Sequence, residues 1–181
     1  MFDFSKNYFD LFGLPAGFLV DTAALASRYR EVQKVVHPDR YANASDSEQR
    51  QALQQATRVN EGYETLRDPL KRAIYLLELN GIDTSQETAT TRDAAFLMQQ
   101  MELREALAEV QGDKDPLAKL DDLMVEIGSL IKAQVAQLVV QFESGTPEQL
   151  EAARGSVDKM RFLNRLHSEA EALEAELEEM I

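Results

Sequence analysis

Leu25, Tyr29, Val32 and Val36 recur at i, i+4, i+7 and i+11, an apolar stripe on the 3.6-residue period of a helix, and the stripe halts at Pro38. Asp21, just ahead of it, is a residue of the N-cap type, so the spacing predicts an amphipathic helix of about sixteen residues. Beyond Pro38 the pattern restarts. Ser45 and Glu48 have the spacing of a capping box, and Ala52, Ala56, Val59, Tyr63 and Leu66 share one face of a second helix. Two helices with one apolar face each and a short connection bury those faces by packing antiparallel, which makes a helical hairpin.

The same punctuation continues along the chain. Asp68-Pro69 is an N-cap with a first-turn proline, opening a segment from Leu70 to Leu79 that Asn80-Gly81 closes. From Gly81 to Thr91 helical periodicity disappears and turn and cap residues dominate, so the domain boundary is placed there. The expected organisation is one domain over 1–80, a linker over 81–91 and a second domain over 92–181. The second domain reads as three long helices. One runs from about Arg92 to Gln111, and one from Asp115-Pro116, through Leu120, Leu123, Ile127, Leu130, Ile131, Leu138 and Phe142, to Gly145. The third opens at Thr146-Pro147, where Gln149 completes a capping box, and carries Leu163, Leu166, Ala170, Leu173 and Leu177. Short connections between three helices predict an antiparallel bundle. Gly155, early in the third helix, marks a kink or a late start. The fold class expected is all-α throughout.

Charge and composition narrow the functions. The 181 residues hold 32 acidic and 19 basic side chains, a net charge of -13, which opposes any sequence-independent grip on phosphate backbones. Residues 1–80 carry ten basic and eleven acidic side chains and residues 81–181 nine and twenty-one, so the acidity is C-terminal. With no cysteine there is no disulfide, no thiolate ligand and no cysteine nucleophile, in keeping with a reducing cytoplasm. The first twenty residues set Asp3 and Asp10 among scattered apolar residues, unlike a secretory leader, and no continuous apolar run approaches eighteen residues. A soluble cytoplasmic protein without nucleic-acid or membrane partners is expected.

His37-Pro38-Asp39 falls at the tip of the hairpin, on a backbone stiffened by proline. It presents an imidazole, a rigid ring and a carboxylate able to accept a bidentate hydrogen bond from an arginine. Taken alone it reads as a proline-interrupted loop with a solvated His and Asp. On a wheel drawn from Leu25, however, Arg30 and Lys34 lie opposite the core stripe, with Arg40 just past the tip, so a basic strip leads to it. A solvated face explains such a strip; so does an acidic partner surface.

The segments Tyr8-Phe9-Asp10-Leu11-Phe12-Gly13-Leu14-Pro15, Tyr29-Arg30 before His37-Pro38-Asp39-Arg40, and Val59-Asn60-Glu61-Gly62-Tyr63-Glu64-Thr65-Leu66-Arg67-Asp68-Pro69-Leu70-Lys71-Arg72-Ala73 together resemble a J-domain, the module through which DnaJ-type co-chaperones act on DnaK-class chaperones. The resemblance covers residues 1 to about 80. It implies that His37, Pro38 and Asp39 contact the chaperone ATPase, with the strip docking alongside. Glu31 and Val35 stand where general J-proteins carry Lys or Arg, which thins the strip and argues against promiscuous pairing.

The helix beginning near Arg92 has two apolar faces. Phe96, Leu103, Ala106, Leu107 and Val110 form one; Leu97, Met98, Met101 and Ala94 form another, nearly opposed and interleaved with Glu102, Arg104 and Glu105. Either this helix is central and buried on both sides, or the second face is a binding surface whose methionines adapt to a partner. The same stretch, Arg92 to Glu105, with Arg72-Ala73-Ile74-Tyr75-Leu76-Leu77-Glu78-Leu79-Asn80-Gly81 and Lys159-Met160-Arg161-Phe162-Leu163, is similar to the HscB family, J-domain co-chaperones of iron–sulfur cluster assembly. That resemblance spans nearly the whole chain. It implies a scaffold-binding face of Leu97, Met98, Met101, Glu102, Arg104, Glu105 and Phe162, and two partners: a DnaK/HscA-class chaperone and an IscU-type cluster scaffold.

No cofactor or metal is expected. His37 and His167 are the only histidines, and the acidic group at Asp113, Asp115, Asp121 and Asp122 lacks calcium-loop spacing. His167 reads as a packed or edge residue. Without a phosphate loop or nucleophile elbow the expected function is not enzymatic. The reading is a monomeric co-chaperone; a J-domain protein with another client and a non-chaperone helical adaptor are the alternatives.

Overall fold

The computed structural model describes residues 6–85 and 93–179, and among these every regular element is helical. In chain order they are α1 (Tyr8–Phe12), α2 (Thr22–Val36), a 3-10 turn (Pro38–Tyr41), α3 (Asp46–Arg67), α4 (Pro69–Leu79), α5 (Ala94–Glu109) with a 3-10 extension (Val110–Gly112), α6 (Pro116–Ser144) and α7 (Pro147–Glu179). The contacts divide the chain into two compact units, Met1–Leu76 and Leu77–Ile181. The expected linker 81–91 lies partly outside the described residues; at Thr84 and Ser85 the chain is held by Arg161 Nη1, which donates to the Thr84 carbonyl at 2.7 Å, and by a Ser85 N–H bond to Asp83 at 2.8 Å.

The first unit is built on the α2–α3 hairpin. Asp21 accepts the Ala23 and Ala24 amides, and Leu25, Val32 and Val36 are fully buried against Ala52, Ala56, Val59 and Leu66 of α3. Tyr29 and Tyr63 stack with centroids 4.1 Å apart at the half-exposed edge. The Ser45–Glu48 capping box forms as expected, and bonds from the Ser45 hydroxyl and amide hold the Glu48 carboxyl below its usual pKa. α1 then crosses α3 closely. A Cβ added to Gly62 would come within 2.8 Å of Tyr8 Cδ1, so glycine is what lets the Tyr8 ring lie there, stacked on Tyr75. Tyr75 also accepts the Tyr8 amide through its hydroxyl at 2.9 Å.

Asp68 Oδ1 accepts the Lys71 amide at 2.9 Å, opening α4. Arg72 is buried beneath this corner: its Nη1 donates to the Leu66 carbonyl and its guanidinium covers the Phe18 ring. Burial draws the Arg72 pKa below its usual value, with the Asp68 charge opposing. α4 ends as Asn80-Gly81 foretold: Gly81 has φ +76°, with Gly81 and Ile82 amides donating back to Glu78 and Leu77.

The second unit is a three-helix bundle. Phe96 and Leu103 of α5 meet Leu123 and Ile127 of α6 and Phe162, Leu163 and Leu166 of α7; Val110, Leu120 and Ala170 form a second cluster. Asp93 caps α5, Asp115 caps α6, and Gly145 at φ +63° turns the chain into α7, where Thr146 Oγ1 accepts the Gln149 amide. α7 is already helical at Pro147, so Gly155 does not mark a late start. α6 is long and apolar enough to cross a membrane by length and composition, a property scattered polar residues conceal from a search for continuous runs. Here its inner stripe, Leu120, Leu123, Ile127 and Leu138, is core.

Candidate interaction sites

The hairpin tip is more ordered than a loop. His37 ends α2 and also caps the following 3-10 turn, its Nδ1 accepting the Asp39 amide at 3.3 Å. Nδ1 also lies 3.5 Å from Asp39 Oδ2. A nitrogen that accepts a proton donor is unprotonated, so the amide bond belongs to the neutral imidazole, and the carboxylate contact becomes an ion pair only on protonation. The neutral form leaves Nε2–H free. Exposures of 52% for the His37 side chain and 90% for Asp39 place both outside any core.

Arg30 and Lys34 are exposed on α2 below the tip. Glu31, which interrupts them, is paired with Arg28 at 3.1 Å, so its charge is balanced on its own helix. Arg40 is exposed as well, but its Nη1 donates to the Lys34 carbonyl at 2.8 Å. Sequence reasoning missed a neighbouring groove of about 500 Å³ lined by Pro38, Ala42, Asp46, Gln49, Arg50 and Leu53. The signal was present: Leu53 stands off the stripe of α3 and is exposed.

In the second unit α5 has the two faces its wheel demands. Phe96, Leu103 and Val110 are buried; Leu97, Met98 and Met101 are 37%, 64% and 72% exposed, with Ala94, Glu102, Arg104 and Glu105 exposed around them. Phe162 departs from the expected face. It is 5% exposed, its ring edge-on to Phe96 with centroids 5.8 Å apart, and the Arg104 guanidinium lies over it at 5.4 Å. Phe162 therefore supports the face from beneath instead of lining it, because α7 turns that position toward α5. Lys159 braces the start of the helix, its Nζ 2.7 Å from Asp93 and 5.2 Å from the Phe96 centroid. The Lys159 ammonium, then the Phe96 amide, holds the Asp93 carboxyl below its usual pKa.

A capped helical hairpin that presents His-Pro-Asp at its tip, followed by a separate helical unit, defines a J-domain protein of the co-chaperone class. The sequence comparisons agree: residues 7–75 match the model of the DnaJ domain, and residues 92–171 that of the HSCB C-terminal oligomerisation domain. A co-chaperone protein HscB homolog of Shewanella amazonensis is 45% identical over 168 residues, 93% of this chain and 97% of the relative. Among solved structures, chaperone HscB from Vibrio cholerae is 41% identical with a TM-score of 0.85, covering 95% of this chain and 99% of that one. Human co-chaperone protein HscB superposes at the same TM-score with 31% identity, covering 94% of this chain and 83% of that one. The chain belongs to the HscB family of co-chaperones.

Proposed function

We propose that the chain joins two partners. The tip residues His37, Pro38 and Asp39, with Arg30 and Lys34 alongside, stimulate the ATPase of a specialised DnaK/HscA-class chaperone. The outer face of α5, from Leu97, Met98 and Met101 to Glu102, Arg104 and Glu105, holds an IscU-type iron–sulfur cluster scaffold and delivers it to that chaperone. On this reading residues 1–80 are the J-domain, 81–91 the linker and 92–181 the scaffold-binding domain. The protein is then a non-enzymatic, monomeric, cytoplasmic adaptor.

The observation that carries the reading is the outer face of α5. A helix anchored by one buried stripe has no structural need of a second, yet three large apolar side chains stand exposed there, rimmed by both signs of charge. The test is single-turnover ATP hydrolysis by specialised and general DnaK-class chaperones, with and without scaffold. Stimulation of the specialised chaperone, raised further by scaffold and abolished by His37→Gln, is expected. Full stimulation by a folded His37→Gln protein sinks the J-domain assignment; stimulation indifferent to the scaffold points to another client.

A further inference from the structure

α2 ends at Val36, and the carbonyls of a helix's last turn have no partner within the helix. Two of them are taken by side chains from the far side of the tip. Arg40 Nη1 donates to the Lys34 carbonyl at 2.8 Å, and the Tyr41 hydroxyl makes a longer bond to the Val35 carbonyl at 3.3 Å. The chain between these partners is the tip itself, so the Arg40–Lys34 bond closes a small loop across its base. Inside the loop the Arg40 amide donates to the His37 carbonyl at 3.1 Å and the Asp39 amide to His37 Nδ1. A cation at a helix C-terminus is also favoured by the helix dipole. The side chain that charge patterning adds to the docking strip is thus folded back onto its own helix.

We propose that Arg40 is a positioning residue, which fixes His37 and Asp39 relative to α2 instead of touching the chaperone. The inference rests on the co-chaperone reading above. A docking cation and a strut leave different signatures. Loss of a docking cation raises the co-chaperone concentration needed for half-maximal stimulation, most at low salt, and leaves the maximum intact. Loss of a strut lowers the maximum reached at saturation, while half-saturation and its salt dependence stay close to wild type.

The experiment compares Arg40→Met, which keeps the stem and removes the donor, with Arg40→Lys, which can still donate to the Lys34 carbonyl. Maximal stimulation should fall about three- to tenfold in Arg40→Met, the order of one net hydrogen bond, and be largely restored in Arg40→Lys. In the free protein, amide exchange at Asp39 and Arg40 should quicken in Arg40→Met alone, with core amides of α2 and α3 reporting that the hairpin is intact. A wild-type maximum in Arg40→Met, or a loss confined to half-saturation with a flattened salt dependence, overturns the proposal. His37→Gln separates the two levels: if it stimulates fully, the J-domain reading fails; if it is inactive while Arg40→Met is fully active, only the strut fails.

Discussion

Replacing Leu97, Met98 and Met101 together by alanine separates a binding surface from a core, because the two readings predict opposite pairs of results. Met98 and Met101, at 64% and 72% exposure, are about as open as side chains on an isolated helix, so truncation uncovers almost no further apolar area. Alanine is slightly the better helix former, by a few tenths of a kcal/mol at most. Leu97 is different. At 37% exposure it is partly shielded, and losing that shielded area costs on the order of 1 kcal/mol. The triple variant should therefore unfold with a stability loss of about 1 kcal/mol, a thermal midpoint a few degrees lower and an unchanged helical spectrum. Binding should respond far more. Truncated interface anchors typically cost upward of about 1 kcal/mol apiece, so scaffold affinity should drop by roughly two orders of magnitude or more, read by calorimetry.

The internal control is Leu103→Ala on the opposite face of the same helix. Leu103 is buried among Phe96, Leu123, Ile127 and Phe162, and its truncation should cost about 2 to 5 kcal/mol of stability. A triple variant as destabilised as Leu103→Ala would show that Leu97, Met98 and Met101 are core. A stable triple variant that binds scaffold normally would show that the scaffold site lies elsewhere.

Gly62→Ala sets a gain of about 1 kcal/mol in helix propensity against a Cβ pressed to 2.8 Å from the Tyr8 ring, which Tyr75 backs; net destabilisation in urea unfolding is expected, and a gain would show that α1 yields. Reversing Arg30 and Lys34 to Glu should slow chaperone association and flatten its salt dependence while leaving scaffold binding alone; stopped-flow rates unchanged at low salt would reduce the strip to a solvated face. The Asp93–Lys159 pair makes a pH prediction. A carboxyl with a lowered folded pKa contributes stability that is present above its unfolded pKa and is lost as pH falls through the folded one. Thermal midpoints of wild type and Lys159→Met should thus differ by a constant amount near neutrality and converge below about pH 4, whereas a gap that persists in acid would mean the lysine acts by packing alone.

Cap residues announced the starts of α2, α3, α4 and α6, because an oxygen of Asp21, Ser45, Asp68 or Asp115 accepting an amide two or three residues on is a local event that spacing alone specifies, whereas α1 with its Asn7 cap and the Asp93 cap of α5 went unnoticed. The two faces of α5 were legible for the same reason, since a wheel needs only the helix. Phe162 and Arg40 were not. Burial of Phe162 depends on how α7 is turned toward α5, and the reach of Arg40 to Lys34 on how the chain folds back after Pro38; neither fact resides in a periodicity. Leu53 was visible as an apolar residue off its stripe, but the groove beside it exists only once the 3-10 turn and α3 are set.

Exposed apolar surface also occurs on α6, where Val125 and Val140 are 67% and 63% exposed, and the choice of α5 as the scaffold face must be argued against it. Between those two valines the exposed positions include Glu126, Ser129, Lys132, Ala133 and Ala136, so the α6 face is shallow, with Lys132 its one charge from Ile127 to Phe142 and Asp121, Asp122 and Glu143 exposed beyond its ends. Specific interfaces combine protruding apolar anchors with a polar rim that fixes orientation. On α5 the anchors are long and adaptable, Glu102 and Glu105 supply acid, and Arg104 is held in place over a buried ring. Valine and alanine offer less contact than methionine, and the two valines of α6 stand fifteen residues apart with mainly small side chains between them. Val125→Ser with Val140→Ser should therefore leave scaffold affinity within about twofold of wild type, with stability changed by less than about 0.5 kcal/mol. If calorimetry instead shows this pair of substitutions weakening scaffold binding as much as the α5 triple variant does, the partner spans both helices and the face drawn on α5 alone is wrong.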